Sequence, residues 1–370
     1  MTDRARASAV SGGDPEMPVE VRRQRPVTIK DVARAAGVHP STVSRSLDPT
    51  HTAISAGTRD RVLEVARTLG YRPDILASGF RRQRSRTIGV VIPDFGNPIY
   101  GQLIRGITLQ LERDGYVALI VETRDRVDRL DEALETLSAR RVDGIITAAT
   151  RERDVRILRK VARRGIPIVM AVRWVRGLDV PRVTNDDLRG GTIAAEHLLD
   201  LGHVRLGQLH GPDDIETFRE RCQGFRQAAA AAGVVLDEPA DHAAEPTVAE
   251  GRRLMHRLLE STGELPTAVF AHNDAMAIGA IEALTDHGLR CPEDVSVIGY
   301  NDMPLVEYLN PTLSTVRMPT GEVGRVAVHT MLAALSDAHD SLASIALQPT
   351  LVARGSTAPP HASRLSSGDT

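Results

Sequence analysis

A tight two-helix unit near the start of the chain most constrains what it can fold into. Thr28 and Asp31 have the spacing of a capping box, with Asp in the position usually held by Glu, and predict a helix that begins at Ile29. Gly37 predicts its end, because glycine adopts the left-handed conformation of a helix C-terminus without steric cost. Pro40 predicts the first residue of a second helix. The spacing therefore predicts a helix-turn-helix, a motif that places the start of its second helix in the DNA major groove.

The residues that follow extend this unit into a more specific pattern. Residues 55–69 carry apolar side chains at helical spacing and predict a third helix, and the next segment is GYRPDILASGFRRQRSR. Two-helix corners also occur in proteins that never contact DNA, so this continuation is what favours a DNA-binding headpiece. With these motifs, residues 27–355 resemble the lactose-repressor/galactose-repressor (LacI/GalR) family of bacterial transcription regulators. The resemblance implies a headpiece over residues 27–72 and a hinge helix with its linker over residues 73–86.

The resemblance also implies which residues contact DNA bases. The family's base-reading positions match His39, Pro40, Ser41 and Arg45, and Thr42 is a further polar candidate for base or phosphate contact. An arginine suits this role, because its guanidinium can pair with guanine O6 and N7 and contribute about 1–3 kcal/mol of discrimination. The alternative for Arg45 is a solvated side chain or one that contacts phosphate alone.

The hinge segment is too short to form a stable helix by itself, since helix nucleation is unfavourable. In the family, paired hinge helices enter the minor groove and a leucine from each wedges between base steps. The matching residue here is Phe80, a departure from the family pattern. Phenylalanine is among the side chains that minor-groove proteins insert, so we expect Phe80 to keep the role, with packing against the regulatory domain as the alternative. Arg81 and the arginines after it are predicted to contact phosphates or the minor groove.

Charge is distributed unevenly along the chain. Residues 27–86 hold 11 Lys and Arg against five Asp and Glu, while the whole chain has a formal net charge of −2. A basic front segment on an acidic body favours binding of a polyphosphate at one end. Residues 1–26 lack the apolar run of a signal peptide and predict a disordered arm. No apolar run approaches the roughly 20 residues of a membrane span, so we expect a cytoplasmic protein with no membrane partner.

From Ile88 onward, short apolar runs alternate with amphipathic segments. This alternation predicts parallel sheets covered by helices on both faces, and an interruption near residues 173–182 divides it into two doubly wound subdomains. The family resemblance implies a periplasmic-binding-protein-like core. The predicted fold is thus an all-α headpiece followed by an α/β core of two lobes. Their expected extents are 87–172 with 319–346 for the first lobe, 174–317 with 347–355 for the second, and 356–370 for a disordered tail.

Polar side chains follow several predicted strands, at the carboxyl ends where open α/β sheets bind ligands. By resemblance, the positions that line the family's effector pocket are Asn97, Tyr100, Arg173, Arg221, Asn273 and Asn301. Such groups suit hydrogen bonds to a polyol, and the alternative for each is a strand-end turn or an inter-lobe contact. Asp274 is predicted to be the N-cap of the helix that starts at Ala275.

Two departures from the family alter the charge expected in this pocket. Val172 and Asn301 stand where the family commonly has aspartate. If Arg173 and Arg221 are retained without those carboxylates, the pocket becomes more positive. This favours the hypothesis of an anionic effector such as a sugar acid or sugar phosphate, because arginine pairs bidentately with such groups.

Together these features predict a DNA-binding transcriptional regulator, expected to be a repressor, that binds a near-palindromic double-stranded operator as a homodimer. A small-molecule effector, a sugar or sugar derivative, would set its DNA affinity. The alternatives are a solute-binding receptor without a DNA role, an α/β enzyme, and a regulator of nucleoside or purine metabolism.

The sequence predicts no catalytic residue, cofactor or metal. The common nucleotide-binding, zinc-protease and hydrolase motifs are missing from it. Cys222 and Cys291 are not expected to make a disulfide framework or a four-ligand zinc site. His203 and His210 have no evident partner in the sequence and are expected to be structural.

Overall fold

The computed structural model describes Arg25, residues 27–47, His51 and residues 53–71, 84–261, 264–336 and 344–361. The chain divides into two units, Met1–Arg82 and Gln83–Thr370. Phe80 and Arg81, predicted to contact DNA, lie outside the described residues.

The described part of the first unit contains three helices, α1 (Ile29–Ala36), α2 (Pro40–Ser46) and α3 (Ala56–Thr68). The predicted capping box is present, because an Asp31 carboxylate oxygen accepts from the backbone N–H and the hydroxyl of Thr28 at 2.9 and 2.6 Å. Gly37 ends α1 with a φ of 65°. The apolar faces of the three helices meet in a small core whose fully buried members are Val32, Val43 and Val62.

The first lobe of the second unit is built on a six-stranded parallel sheet. Its strands are β1 (Thr87–Ile92), β2 (Val117–Glu122), β3 (Gly144–Thr147), β4 (Ile168–Ala171), β5 (Arg182–Asn185) and β11 (Ile345–Leu347). They lie in the order β11-β5-β4-β3-β1-β2. The helices of this lobe are α4 (Ile99–Arg113), α5 (Val127–Ala139), α6 (Val155–Ala162) and α11 (Thr320–Leu335).

The second lobe repeats this plan. Its strands are β6 (Arg205–Leu209), β7 (Val235–Asp237), β8 (Ala268–Ala271), β9 (Ser296–Asn301), β10 (Ser314–Arg317) and β12 (Thr350–Val352), in the order β12-β10-β9-β8-β6-β7. Only β12 runs antiparallel among these described strands. The helices are α7 (Asp187–Asp200), α8 (Glu216–Ala231), α9 (Val248–Ser261) and α10 (Asp274–Asp286). The chain passes between the lobes after β5, after β10 and between β11 and β12, which confirms the predicted two-sheet α/β core.

The lobe boundaries differ from those predicted. β5 pairs with β4 in the first sheet, so the first lobe extends to residue 185 rather than 172. The sequence of β5, RVTN, lacks the continuous apolar run of the other strands, although all but its first residue are buried. Position in the sheet, rather than hydrophobicity, makes this segment a strand.

The prediction of a disordered tail is wrong for residues 356–361. Ser356 is fully buried, and its hydroxyl donates to the carbonyl of Val297 at 2.6 Å. The N–H of Ala358 donates to the Ser296 hydroxyl at 3.0 Å. A Ser- and Pro-rich composition therefore does not prevent order here, because the backbone is fixed by hydrogen bonds to β9.

Glycines occur where neighbouring helices cross. A Cβ on Gly106 of α4 would overlap the carbonyl oxygen of Gly321 in α11. Two further helix pairs meet in the same way, α7 with α8 at Gly191 and Gly224, and α9 with α10 at Gly251 and Gly279. At these crossings one helix backbone lies directly against the other, an approach that any larger residue would prevent.

Candidate functional site

A cavity of about 700 Å³ lies between the two lobes, at the carboxyl ends of their strands. The first lobe contributes the loop after β1, the loop after β2 and one residue after β4. The second lobe contributes the segment that leads into α9 and residues near the starts of α10 and of the loop after β9. Its polar and charged lining residues are Asp94, Asn97, Tyr100, Glu122, Arg124, Asp125, Arg173, Glu245 and Thr247.

Three of the predicted effector-binding residues, Asn97, Tyr100 and Arg173, line this cavity. The Asn97 side-chain oxygen accepts from the N–H of Ile99 at 3.3 Å, and its amide NH₂ has no partner among the described residues. The Tyr100 hydroxyl likewise has no hydrogen-bond partner in the described part of the chain. Burial raises the pKa of Tyr100 to about 12, so the hydroxyl keeps its proton and can donate it in a hydrogen bond.

Arg173 enters the cavity through an unusual turn. Val172, just before it, has a φ of 66°, a conformation that is rare for β-branched residues. The Arg173 guanidinium then donates to Asp125 at 2.6 Å, and Asp125 also pairs with Arg151 at 3.3 Å. Burial opposes ionisation of Asp125, yet the two guanidinium groups hold its pKa below the usual value.

The other three predicted residues are not part of the cavity lining. Arg221 is buried, and it pairs with Asp187 at 2.8 Å and donates to the His272 carbonyl at 2.7 Å. Asn273 caps α10, since its side-chain oxygen accepts from the Met276 N–H at 2.7 Å.

Asn301 ends β9 with a φ of 114°, and its buried side-chain oxygen has no partner among the described residues. The position therefore combines a strained backbone with an unpaired acceptor, and its role as an effector-binding residue stays a prediction.

The predicted N-cap role of Asp274 is wrong, because Asn273 occupies that position. Asp274 is instead the first residue of α10 and is fully buried. Its carboxyl group accepts from the Thr315 hydroxyl at 2.6 Å and from the Met303 N–H at 2.7 Å. Burial raises the pKa of Asp274 to about 7, despite these two hydrogen bonds.

The premise of the anionic-effector hypothesis is also wrong. The two arginines on which it rests, Arg173 and Arg221, are already paired with Asp125 and Asp187. The carboxylates that line the cavity are Asp94, Glu122, Asp125 and Glu245, against the guanidinium groups of Arg124 and Arg173. The described lining thus carries more carboxylates than guanidinium groups, which does not favour a sugar acid or phosphate.

Sequence reasoning missed the loop Glu122–Asp125, although it follows β2 and obeys the same rule about strand ends. It also missed a set of ion pairs that joins the lobes. Asp214 of the second lobe pairs with Arg151 at 2.7 Å and with Arg153 at 3.1 Å. Glu152 pairs with Arg219, and Arg176 pairs with Glu216. No local sequence pattern signals contacts between residues this far apart along the chain.

In the first unit, the predicted DNA-contact residues gather around the start of α2. His39 is its N-cap, and a ring nitrogen accepts from the Ser41 N–H at 3.2 Å and lies 2.8 Å from the Ser41 hydroxyl. Pro40 and Thr42 are half-buried, and Arg45 is exposed with no partner in the described part of the chain. Among the described residues, this surface therefore presents an exposed guanidinium next to hydroxyl groups, and base contact by these residues stays a prediction.

Two family models match the chain. Residues 28–74 match the model of bacterial regulatory proteins of the lacI family, and residues 195–357 match a periplasmic binding protein-like domain. The first match agrees with the three-helix fold of the first unit, and the second with the α/β fold of the second unit. No helix among the described residues has the length and hydropathy needed to cross a membrane.

Similar proteins cover nearly the whole chain. The HTH-type transcriptional repressor CytR of Escherichia coli is 33% identical over 338 residues, which are 91% of this chain and 98% of that protein. The HTH-type transcriptional regulator DegA of Bacillus subtilis is 35% identical over 90% of this chain and 98% of its own length. The ribose operon repressor of Escherichia coli is 33% identical over 89% of this chain and 99% of its own length.

Solved structures agree with these sequences. The lac repressor dimer bound to operator and the anti-inducer ONPF superposes with a TM-score of 0.80 at 26% identity, covering 90% of this chain and all of that one. A complex of the transcriptional regulator CelR with cellobiose has a TM-score of 0.68 at 29% identity and the same coverage. These relatives are transcriptional regulators rather than enzymes or receptors. The chain belongs to the LacI family of bacterial regulatory proteins and is a DNA-binding transcriptional regulator.

Proposed function

We propose that the effector of this regulator is a neutral sugar bound in the 700 Å³ cavity between the lobes. The proposal rests on which polar groups in the cavity lining already have hydrogen-bond or ion-pair partners among the described residues. The Tyr100 hydroxyl and the Asn97 amide are available as donors, whereas the arginines are paired with carboxylates. Sugar hydroxyls both donate and accept hydrogen bonds, so they match a lining of free donors and carboxylates without adding a charge that needs neutralising.

The lining also favours a sugar over a nucleoside. Tyr100 is the one aromatic residue among the described residues that line the cavity. Recognition of a base generally uses aromatic faces for stacking, and a single buried tyrosine offers little such surface. A ribose-bound LacI-family regulator from Enterococcus faecium, 29% identical with a TM-score of 0.64, and the cellobiose complex of CelR support a carbohydrate of one or two rings.

We further propose that the protein acts in the cytoplasm as a homodimer and represses transcription from a near-palindromic operator. The dimeric, operator-bound state of the similar lac repressor supports this, as does the exposed surface at the start of α2. The proposed DNA contacts include Phe80 in the minor groove and Arg81 at a phosphate or in the minor groove. The others are His39, Pro40, Ser41, Thr42 and Arg45. Closure of the lobes around the sugar changes operator affinity by a coupling energy of about 1–3 kcal/mol.

Calorimetric titration of the full chain tests the ligand class. The panel contains neutral pentoses, hexoses and disaccharides, their acid and phosphate forms, and nucleosides. We expect a neutral sugar to bind, and Tyr100→Phe to weaken that binding roughly 2- to 12-fold, because a neutral hydrogen bond contributes about 0.5–1.5 kcal/mol. Tyr308→Phe is the matched control, since Tyr308 is 77% exposed and lies outside the cavity lining. Binding of only the acids or phosphates would contradict the proposal.

A further inference from the structure

A second cavity lies within the second lobe and is unrelated to the effector cleft. It has a volume of about 320 Å³, and its lining includes three histidines and a cysteine: His210, His242, His272 and Cys222. None of these four residues lines the effector cavity. Histidine and cysteine together are the ligands that zinc-class transition metals prefer in proteins.

Three different elements bring the ligand-type groups together. His210 directly follows β6, Cys222 lies in α8, and Glu238 directly follows β7. One nitrogen, the sulfur and one carboxylate oxygen of these residues all lie within 4.8 Å of one another. His210 is 4% exposed and Cys222 is 9% exposed, so the cluster is built into the lobe rather than spread over its surface.

The spacing of the first two groups fits a tetrahedral metal site. His210 Nδ1 lies 3.6 Å from Cys222 Sγ. With metal–sulfur and metal–nitrogen bonds of about 2.3 and 2.05 Å at the tetrahedral angle, the two ligand atoms are about 3.6 Å apart. The distance between the two atoms therefore matches that between two ligands of one tetrahedral ion.

Glu238 stands on the other side of the His210 ring. Its carboxylate lies 3.4 Å from His210 Nε2 and accepts from Gln208 at 2.6 Å and from Arg226 at 2.8 Å. A carboxylate at Nε2 favours the tautomer that carries the proton there, which leaves Nδ1 as the nitrogen that can bind a metal ion. The Gln208 amide nitrogen also lies 3.5 Å from Nε2. Metal-binding histidines in proteins are commonly oriented by a carboxylate in this way.

His242 provides a third nitrogen ligand at the cavity mouth. Its ring stacks on that of His210 with centroids 4.7 Å apart, and its side chain is 38% exposed. Its position at the cavity mouth makes it the candidate for a third nitrogen ligand beside His210 and Cys222. His272 is less suited, since its ring nitrogens already contact the N–H of Gly211 at 3.1 Å and the side-chain oxygen of Gln208 at 3.1 Å.

We propose that this cluster is a binding site for Zn²⁺ or a similar transition-metal ion. Cys222 Sγ and His210 Nδ1 are its principal ligands, His242 and solvent complete the coordination, and Glu238 orients His210. On binding, the Cys222 thiol forms the metal–sulfur bond and releases its proton to solvent. Cys222 directly follows Arg221, so bound metal also fixes the turn of α8 that carries the Asp187–Arg221 ion pair. No local sequence motif indicates this site, because its ligands are separated along the chain.

Cobalt(II) titration of the reduced, tag-free full chain tests the proposal, because a cobalt–thiolate bond gives an ultraviolet charge-transfer band. We expect one equivalent of Co²⁺ to produce this band and Zn²⁺ to abolish it by competition. Cys222→Ser should remove the band and weaken metal binding more than about 100-fold, and Glu238→Gln should weaken it about 10- to 100-fold. Cys291→Ser is the matched control, since Cys291 belongs to another part of the lobe, and it should bind like the unaltered protein.

Thermal unfolding gives a second measurement that does not depend on the spectrum. Zn²⁺ should raise the melting temperature of the unaltered protein and of Cys291→Ser, but not that of Cys222→Ser. Circular dichroism before titration verifies that each variant is folded, and Glu238→Gln provides an independent test if Cys222→Ser is not. The proposal is overturned if the unaltered protein gives no thiolate band, if the band survives in Cys222→Ser, or if it is lost in Cys291→Ser.

Discussion

The buried ion pair of Asp187 and Arg221 gives a direct test of how the second lobe is stabilised. Both side chains are at most 4% exposed, and the guanidinium also lies 3.7 Å from the centroid of the Tyr300 ring. Asp187→Ala would remove the counter-charge and leave the arginine buried without it. Arg221 was also a predicted effector contact, and the experiment measures what its ion pair contributes to stability.

The expected loss follows from the burial of the pair. Removing one partner of a buried ion pair destabilises a protein by about 3–5 kcal/mol, since the remaining charge stays desolvated and unpaired. Replacing both partners with apolar residues of similar size is often nearly neutral. The double variant Asp187→Leu/Arg221→Met should therefore recover most of the stability lost in Asp187→Ala.

Urea unfolding followed by tryptophan fluorescence measures these differences. Trp174 is the single tryptophan of the chain, and the Arg182 guanidinium lies 3.7 Å from the centroid of its ring. Trp174 belongs to the first lobe but lines a cavity together with Asp187 and Glu220 of the second lobe, so its emission responds to unfolding of the second unit around the ion pair. Glu196→Ala is the control, because the Arg189–Glu196 pair on the same helix is exposed and should contribute less than about 1 kcal/mol. A loss below about 1 kcal/mol in Asp187→Ala, or a double variant as unstable as the single one, would refute the reasoning.

Three further predictions concern other parts of the chain. Arg45→Ala should reduce the preference for operator over random DNA by about 1–3 kcal/mol, measured by anisotropy titrations at fixed salt. The control Arg34→Ala, which removes a charge outside the predicted base-reading positions, should change the affinities for operator and for random DNA equally. Equal effects of the two variants on this preference would disprove base contact by Arg45. Gly106→Ala should lower the free energy of unfolding by about 1–3 kcal/mol or more, because the new Cβ meets a backbone carbonyl, while Gly101→Ala on the open side of α4 should be neutral or stabilising. The Asp274 carboxyl keeps its proton to about pH 7 in the folded state but loses it near 3.8 when unfolded, so its contribution makes stability fall as pH rises between these values. Asp274→Asn removes this dependence. If the free energy of unfolding changes with pH in the same way for both proteins from pH 4 to 7, the raised pKa is contradicted.

Local signals in the sequence predicted the headpiece well. The capping pair of Thr28 and Asp31, the terminating Gly37 and the initiating Pro40 each act within one turn of helix. Their effects depend on neighbours in the chain, so the helix ends could be predicted without knowledge of the tertiary fold.

The limits of prediction appear where distant contacts decide the outcome. β5 is a strand because β4 and β11 lie on either side of it, and its own sequence is too polar to indicate this. The same holds for the site. Strand ends identified Asn97, Tyr100 and Arg173, but they did not reveal that Arg221 pairs with Asp187, 34 residues away, and lies outside the cavity lining. A polar residue at a strand end therefore predicts where a binding site lies. Whether that residue can bind a ligand depends on the side chains with which it is paired.

The glycine crossings have a mechanical consequence. Where two helices touch backbone to backbone, no soft side chain lies between them to be compressed or to change rotamer. Sliding within either lobe is correspondingly costly, and each lobe responds to force as a stiff block. We therefore expect a small displacement at the rim of the cleft to move each lobe as a unit and to change the three chain segments that join the lobes.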